Sequence, residues 1–245
     1  MRIRNIAIGA ALLGATLIGS AHAAPMIDWD PAFMWEIGAH PTNSPTNGEF
    51  KSVGVISRFG PPFEDLNANL PAFEYTFYMR EAFSLGTQAQ AISPTDTIFT
   101  TTYDGGIIEI FEDSTPDASF DPNPPNAGVP TNFIDGTPIL VGFFFQTDEL
   151  HGGPAPNTPF IVQTNNFTAF DTGNAEGPIE WTGGTLLERL NQNGTPCPGL
   201  FTGALTWYPP VMIPGYLFRH DGKIDHNCPT MTNSATWGRI KQIYR

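Results

Sequence analysis

Glycine and proline punctuate this chain so densely that a long helix has nowhere to form. The 245 residues hold 25 Gly and 24 Pro, one residue in five, against about 12% in an average globular chain. Proline removes a helix hydrogen bond and clashes with the preceding turn, and interior glycine costs about 1 kcal/mol. Helical bundles and coiled coils are therefore excluded. Wholesale disorder is disfavoured too, because 40% hydrophobic residues and 19 Phe can bury a core.

Between the breaks, short runs alternate with period two or are rich in β-branched and aromatic residues. Residues 51–57 form one such run, ahead of Gly60-Pro61-Pro62. In residues 72–79, Phe73, Tyr75, Phe77 and Met79 share one face. Residues 97–112 read as a hairpin turning at Asp104-Gly105-Gly106, because Asp-Gly favours tight turns. A Phe-rich strand follows at 139–146, with weaker strands at 160–163, 166–170 and 178–181. Helix candidates are confined to 185–190 and to 234–244, where Trp237, Ile240 and Tyr244 recur on one face. The pattern predicts an all-β domain over residues 24–233, an antiparallel β-sandwich or jelly roll. A short C-terminal helix belongs to the basic amphipathic segment 234–245, which is expected either to dock on the acidic domain or to act as an attachment signal.

Residues 1–23 read as a cleavable export signal. Arg2 and Arg4 precede an apolar stretch from Ile6 to Ile18, and Ala21-His22-Ala23 has the small-x-small form of a cleavage site. The stretch falls short of the ~20 residues that span a bilayer, and no later run has that length, so no membrane span is expected after signal removal. The expected location is secreted: periplasm, cell surface or extracellular. Without Arg2 and Arg4, nine basic residues face 24 acidic ones, a formal −15. Such a body repels phosphate backbones, which excludes nucleic acid as a partner. In an exported chain the two cysteines, Cys197 and Cys228, read as one structural disulfide.

Two acidic segments are candidate cation sites. Asp113, Asp117 and Asp121 recur every four residues, and oxygen donors of this kind suit Ca²⁺. Asp221 and Asp225 lie in His220-Asp-Gly-Lys-Ile-Asp-His226, the densest set of ligand-type residues. Read as a calcium loop, that segment puts Lys223 among the ligands and His226 where glycine is required, so it reads first as a polar turn around Asp221-Gly222. Neither segment demands a cofactor; their carboxylates would suit Ca²⁺, and the imidazoles of His220 and His226 would suit Zn²⁺ or Cu²⁺. No nucleophile elbow or zinc-protease motif occurs, and no catalytic residue is nominated. Trp29, Trp35, Trp181, Trp207 and Trp237 are expected in the core rather than on a sugar-stacking platform.

The stretch Thr100-Thr-Thr-Tyr-Asp-Gly-Gly-Ile-Ile-Glu-Ile-Phe-Glu-Asp-Ser-Thr-Pro-Asp-Ala-Ser-Phe-Asp121, followed by Phe133-Ile-Asp-Gly-Thr-Pro-Ile-Leu-Val-Gly142, resembles exported bacterial proteins of the PEP-CTERM cohort, including the flocculation-associated kind. The resemblance implies a secreted, surface-associated β-rich protein tied to exopolysaccharide or aggregation. It supplies no catalytic residues. The chain ends Ala235-Thr-Trp-Gly-Arg-Ile-Lys-Gln-Ile-Tyr-Arg245, without the family's Pro-Glu-Pro motif and apolar helix, so membrane-linked sorting is not implied. The expected function is a non-enzymatic cell-surface or extracellular-matrix protein whose partner is extracellular polysaccharide or a surface protein. The alternatives are a hydrolase acting on polysaccharide and a calcium-dependent carbohydrate-binding module.

Overall fold

A computed structural model describes residues 25–120, 130–144, 160–165, 172–192, 194–207 and 213–226. The expected export signal, Asp121, Cys228, the strand expected at 166–170 and the segment 234–245 lie outside them. Eleven strands run in chain order: β1 (Ile27–Glu36), β2 (Glu49–Phe59), β3 (Glu74–Ala91), β4 (Thr97–Asp113), β5 (Thr137–Phe144), β6 (Phe160–Asn165), β7 (Thr172–Gly183), β8 (Asn191–Gln192), β9 (Thr195–Pro196), β10 (Gly199–Thr206) and β11 (Phe218–His226). A four-residue helix, α1 (Thr131–Ile134), and 3₁₀ turns at Glu64–Ala68 and Leu187–Leu190 complete the described elements.

The all-β antiparallel expectation holds, but the architecture is a closed barrel and not a sandwich or jelly roll. The strands follow one another as β10-β11-β1-β2-β3-β4-β5-β7, and β7 returns to pair with β10 from Ile179↔Gly199 to Thr172↔Thr206. That pairing joins the two ends of the sheet and removes its edges, which a sandwich would have left open. β5 and β6 share the lane between β4 and β7: β5 pairs with Ile107–Glu112 of β4, and β6 with Ile98–Tyr103.

Inward residues fill the barrel with rings. Trp29 packs 4.9 Å from Phe77 and 5.1 Å from Phe201, and Phe160 contacts Phe50, Tyr103, Phe144 and Phe201. The interior is thus a packed core and not a ligand chamber. Trp29, Trp35 and Trp181 are buried and Trp207 packs against the core, as expected. Trp237 lies outside the described residues. A second apolar cluster sits on the outer face of β1–β4, where Phe33, Trp35, Val53, Tyr78 and Phe111 are covered by Phe133 of α1, Phe120 and Tyr216.

Three local expectations change. Residues 97–112 are not a hairpin but a continuous strand, β4. Gly105 and Gly106 take positive φ of 70° and 119° inside it, bending the strand opposite Glu81 without shifting its register. The turn lies at residues 92–96 instead, where Ser93 Oγ donates to Asp96 Oδ2 at 2.6 Å. Residues 220–226 are likewise not a turn: β11 runs straight through Asp221-Gly222, held between β1 and β10. The helix expected at 185–190 is a single 3₁₀ turn. Its Arg189 stacks over Phe63 and donates to Pro62 O at 2.5 Å and to Asp65.

Above Phe83, β3 leaves β2 and runs on beside β4 and β6 as a projecting arm. The loop 37–48 closes this end of the barrel: Thr164 Oγ1 donates to Pro41 O at 2.5 Å, and Ser44 N to Thr87 Oγ1 at 2.8 Å.

Gly54 tests the tightness of the inner core. A Cβ there would overlap the Phe77 ring and lie 2.6 Å from Ala32 Cβ. Gly54→Val is expected to destabilise the protein by about 2 kcal/mol or more, and urea denaturation showing an unchanged midpoint would contradict that packing. Cys197 is buried, and its expected partner lies outside the described residues. Cys197→Ser is expected to cost about 2–5 kcal/mol if the bridge to Cys228 forms. Mass spectrometry of exported protein finding two free thiols would reject the bridge.

Candidate functional site

β11 alternates, and that alternation disperses the ligand set of 220–226. His220 points into the barrel and is fully buried, while Asp221, Lys223 and Asp225 point outward. Lys223 Nζ pairs with Asp225 at 2.7 Å, so the lysine neutralises the carboxylate that a cation would need.

The inward residue forms a closed relay. Trp29 Nε1 donates to His220 Nδ1 at 3.2 Å. An indole N–H only donates, so Nδ1 is the acceptor and the proton sits on Nε2. Nε2 then donates to Ser52 Oγ at 3.0 Å, and Ser52 donates to Phe33 O at 3.2 Å. Burial pushes the imidazole pKa down to about 3. A Ser–His contact was not foreseen from sequence, since 168 residues separate the pair. It lacks the features of a catalytic dyad, because Ser52 and His220 are sealed from solvent and an indole occupies the place of an orienting carboxylate. Glu36, a buried carboxylate, accepts from Ser44 Oγ at 2.6 Å and Tyr103 OH at 3.0 Å. Desolvation raises its pKa above the ordinary value.

Of the expected acidic triad, Asp113 and Asp117 come together and Asp121 lies outside the described residues. Asp135 joins them, with one carboxylate oxygen from each of the three within 4.8 Å of the others. Burial first, then Asp117 and Asp113, raises the pKa of Asp135. In the sequence nothing marks Asp135 as a ligand beyond its place in Phe133-Ile-Asp-Gly136. The chain around Asp117 is already anchored through its backbone, since Glu74 Oε2 accepts from Asp117 N at 3.3 Å and Ala118 N at 2.8 Å. Oxygen donors of this kind suit Ca²⁺, but the carboxylates belong to a half-exposed loop over the outer cluster.

A groove of about 410 Å³ lies on the outer face of the seam β7-β10-β11-β1. Its shape follows from side-chain size. β10 presents only Thr202 and Ala204 outward here, whereas its neighbours raise Asn174 and Glu176 on one side and Asp221 and Lys223 on the other. Asp28 of β1 completes the rim. The lining therefore offers three carboxylates, an amide, a hydroxyl and one ammonium, with no aromatic ring. Asp221 is the perturbed member: burial, then Asp30 and Asp28, raise its pKa, with Arg219 opposing.

The relay fixes a pH response. A histidine held below its unfolded value of 6.5 favours the native state fully above that value. The contribution is lost as pH falls from 6.5 toward about 3. The slope is at most about 1.4 kcal/mol per pH unit. Glu36 acts oppositely, its contribution being present at low pH and lost as pH rises through its raised pKa. The comparison with His220→Gln, which keeps a donor and an acceptor, isolates the imidazole. The advantage of wild type over this variant is expected to shrink steadily from pH 6.5 to 4. A pH-independent difference in unfolding free energy would show that His220 does not titrate as a buried neutral ring.

Comparison with protein-family models, with curated proteins and with solved structures finds no match for this chain.

Proposed function

We propose that the protein is an exported, non-enzymatic β-barrel module of the cell surface or extracellular matrix, and that its outer groove holds a neutral polysaccharide. The observation that carries this reading is the groove across β7-β10-β11-β1. It opens to solvent and is floored by small side chains. Its rim is built from acceptors and an amide that pair with hydroxyl groups. The packed interior leaves the outer surface as the place for recognition, and the rim carboxylates disfavour a polyanionic chain. The export signal read in residues 1–23 and the resemblance to surface-associated exported proteins support the location.

A hydrolase is the second reading, favoured by the raised pKa of Asp221 beside Asp28. Unequal carboxylates flanking one groove are what glycoside hydrolysis employs. Calcium dependence is the third, resting on Asp113, Asp117 and Asp135. None of these three lines the groove.

Affinity electrophoresis through gels containing dextran or polygalacturonate separates these readings. Retardation by dextran alone is expected, unchanged by EDTA. Asn174→Ala and Asp221→Ala should each weaken it by about 5- to 10-fold, the worth of one lost hydrogen bond of about 1 kcal/mol. Retardation abolished by EDTA would favour the calcium-dependent module. New reducing ends that vanish in Asp221→Asn would favour the hydrolase, and no retardation in either gel would reject the polysaccharide reading.

A further inference from the structure

Among the described residues the arm of β3 leaves one open sheet edge. β2 and β3 pair from Val55↔Thr76 to Glu49↔Phe83, and the chain entering β2 follows β3 as far as Ser84, where Asn47 N donates to Ser84 O at 2.7 Å and Ser84 N to Gly48 O at 2.9 Å, before the two part. Beyond that point β3 continues to Ala91, paired on one side with Thr97–Thr101 of β4. Ser44 bonds the side chain of Thr87, and among the described residues no strand lies along the other side of Thr87–Ala91. Successive residues of an antiparallel strand direct their N–H and C=O groups to alternate sides. This stretch therefore presents a row of backbone donors and acceptors outward.

Natural edges are usually guarded by charge, by proline or by a cover. Here no charged residue occurs between Glu81 and Asp96, and Pro94 lies in the turn beyond the strand. Gln88, Ala89, Gln90, Ala91 and Ile92 are all exposed, with Ile92 at 53% and Leu85, at the base of the arm, at 57%. The paired segments of the arm, 97–103 and 160–165, are also free of charge. The whole chain carries a formal −13, so two copies repel wherever their acidic surfaces meet. The arm is a place where they meet without that cost.

We propose that the free edge of β3 is a homotypic interface, joining the arms of two copies as antiparallel strands about a two-fold axis at Ala89. The segment suits its own image. Ala89 opposes Ala89, Gln88 opposes Gln90, and Thr87 opposes Ala91, so small residues meet on one face and amide side chains can pair on the other. The result is one continuous sheet running β6-β4-β3 in one copy and β3-β4-β6 in the other. A two-fold contact uses the same patch on both copies and closes after two. The groove on β7-β10-β11-β1 belongs to a different part of the barrel, and a dimer built on the arms carries two of them.

Sedimentation velocity of the full exported chain over a concentration series tests the interface. Wild type is expected to dimerise reversibly. Ala89→Lys sets two ammonium groups face to face at the axis and should weaken the dimer at least 10-fold, with an unchanged melting temperature. Directly opposed residues in such a pair have Cα atoms about 4.5–5.5 Å apart, within disulfide reach. Ala89→Cys should therefore give a covalent dimer under mild oxidation, while Ser57→Cys, exposed on β2, should not. A wild-type monomer at the highest soluble concentration overturns the proposal. A monomer whose Ala89→Lys variant melts lower places the chain's own backbone on the edge, which also overturns it. A dimer unaffected by Ala89→Lys and uncoupled by Ala89→Cys puts the interface elsewhere.

Discussion

The pairing of β7 with β10 is the contact on which the architecture depends. Without it, the antiparallel sheet would have two long free edges and a face of rings open to water. With it, Trp29, Phe77, Phe144, Phe160 and Phe201 are enclosed on all sides and touch one another. The same pairing makes the groove, because it sets the small outward residues of β10 between the longer ones of β7 and β11. One ladder of hydrogen bonds thus fixes both what is buried and what is offered to a partner.

The Trp29–His220–Ser52 chain and Glu36 are tolerated inside the barrel because their polar atoms are paired, whereas Trp181 Nε1 is buried with no hydrogen-bond partner among the described residues. The Trp29–His220–Ser52 relay ends on the Phe33 carbonyl, and Glu36 receives two hydroxyl donors. An unsatisfied buried group would cost about 1–3 kcal/mol, so these chains hold β1, β2, β4 and β11 in one register. They read as structural for the same reason that they do not read as catalytic: nothing outside the protein reaches them.

Several strands were legible in the sequence because their cause is local. The alternation of Tyr75, Phe77 and Met79 needs only a pleat with one wet face. β1 was not legible, since Asp28, Asp30 and Pro31 break its pattern and Phe33 and Trp35 face an outer cluster whose cover, Phe120, Phe133 and Tyr216, lies over 80 positions away. The Asp-Gly pairs at 104–105 and 221–222 read as turns because turn propensity is local, whereas here neighbouring strands hold them extended. Closure itself was out of reach, as a period-two strand looks the same in a sandwich and a barrel. The groove shares that fate: Asp28, Asn174, Thr202 and Asp221 meet only through strand order. Asp113 and Asp117 were visible as a pair, while their approach to Asp135 depends on how the loop folds back over α1.

The outer cluster gives the barrel two unlike halves. The strands β1–β4 carry apolar packing on both faces, from the ring-filled interior and from the Phe33–Trp35–Tyr78–Phe133 layer. Over β7, β10 and the outer end of β11 the described residues bury only the inner face. Amide hydrogens in the first half should exchange only through global unfolding, and those bordering the groove through smaller local openings. The groove proposed for polysaccharide thus lies mainly on the softer wall, while the stiffer wall keeps the barrel closed.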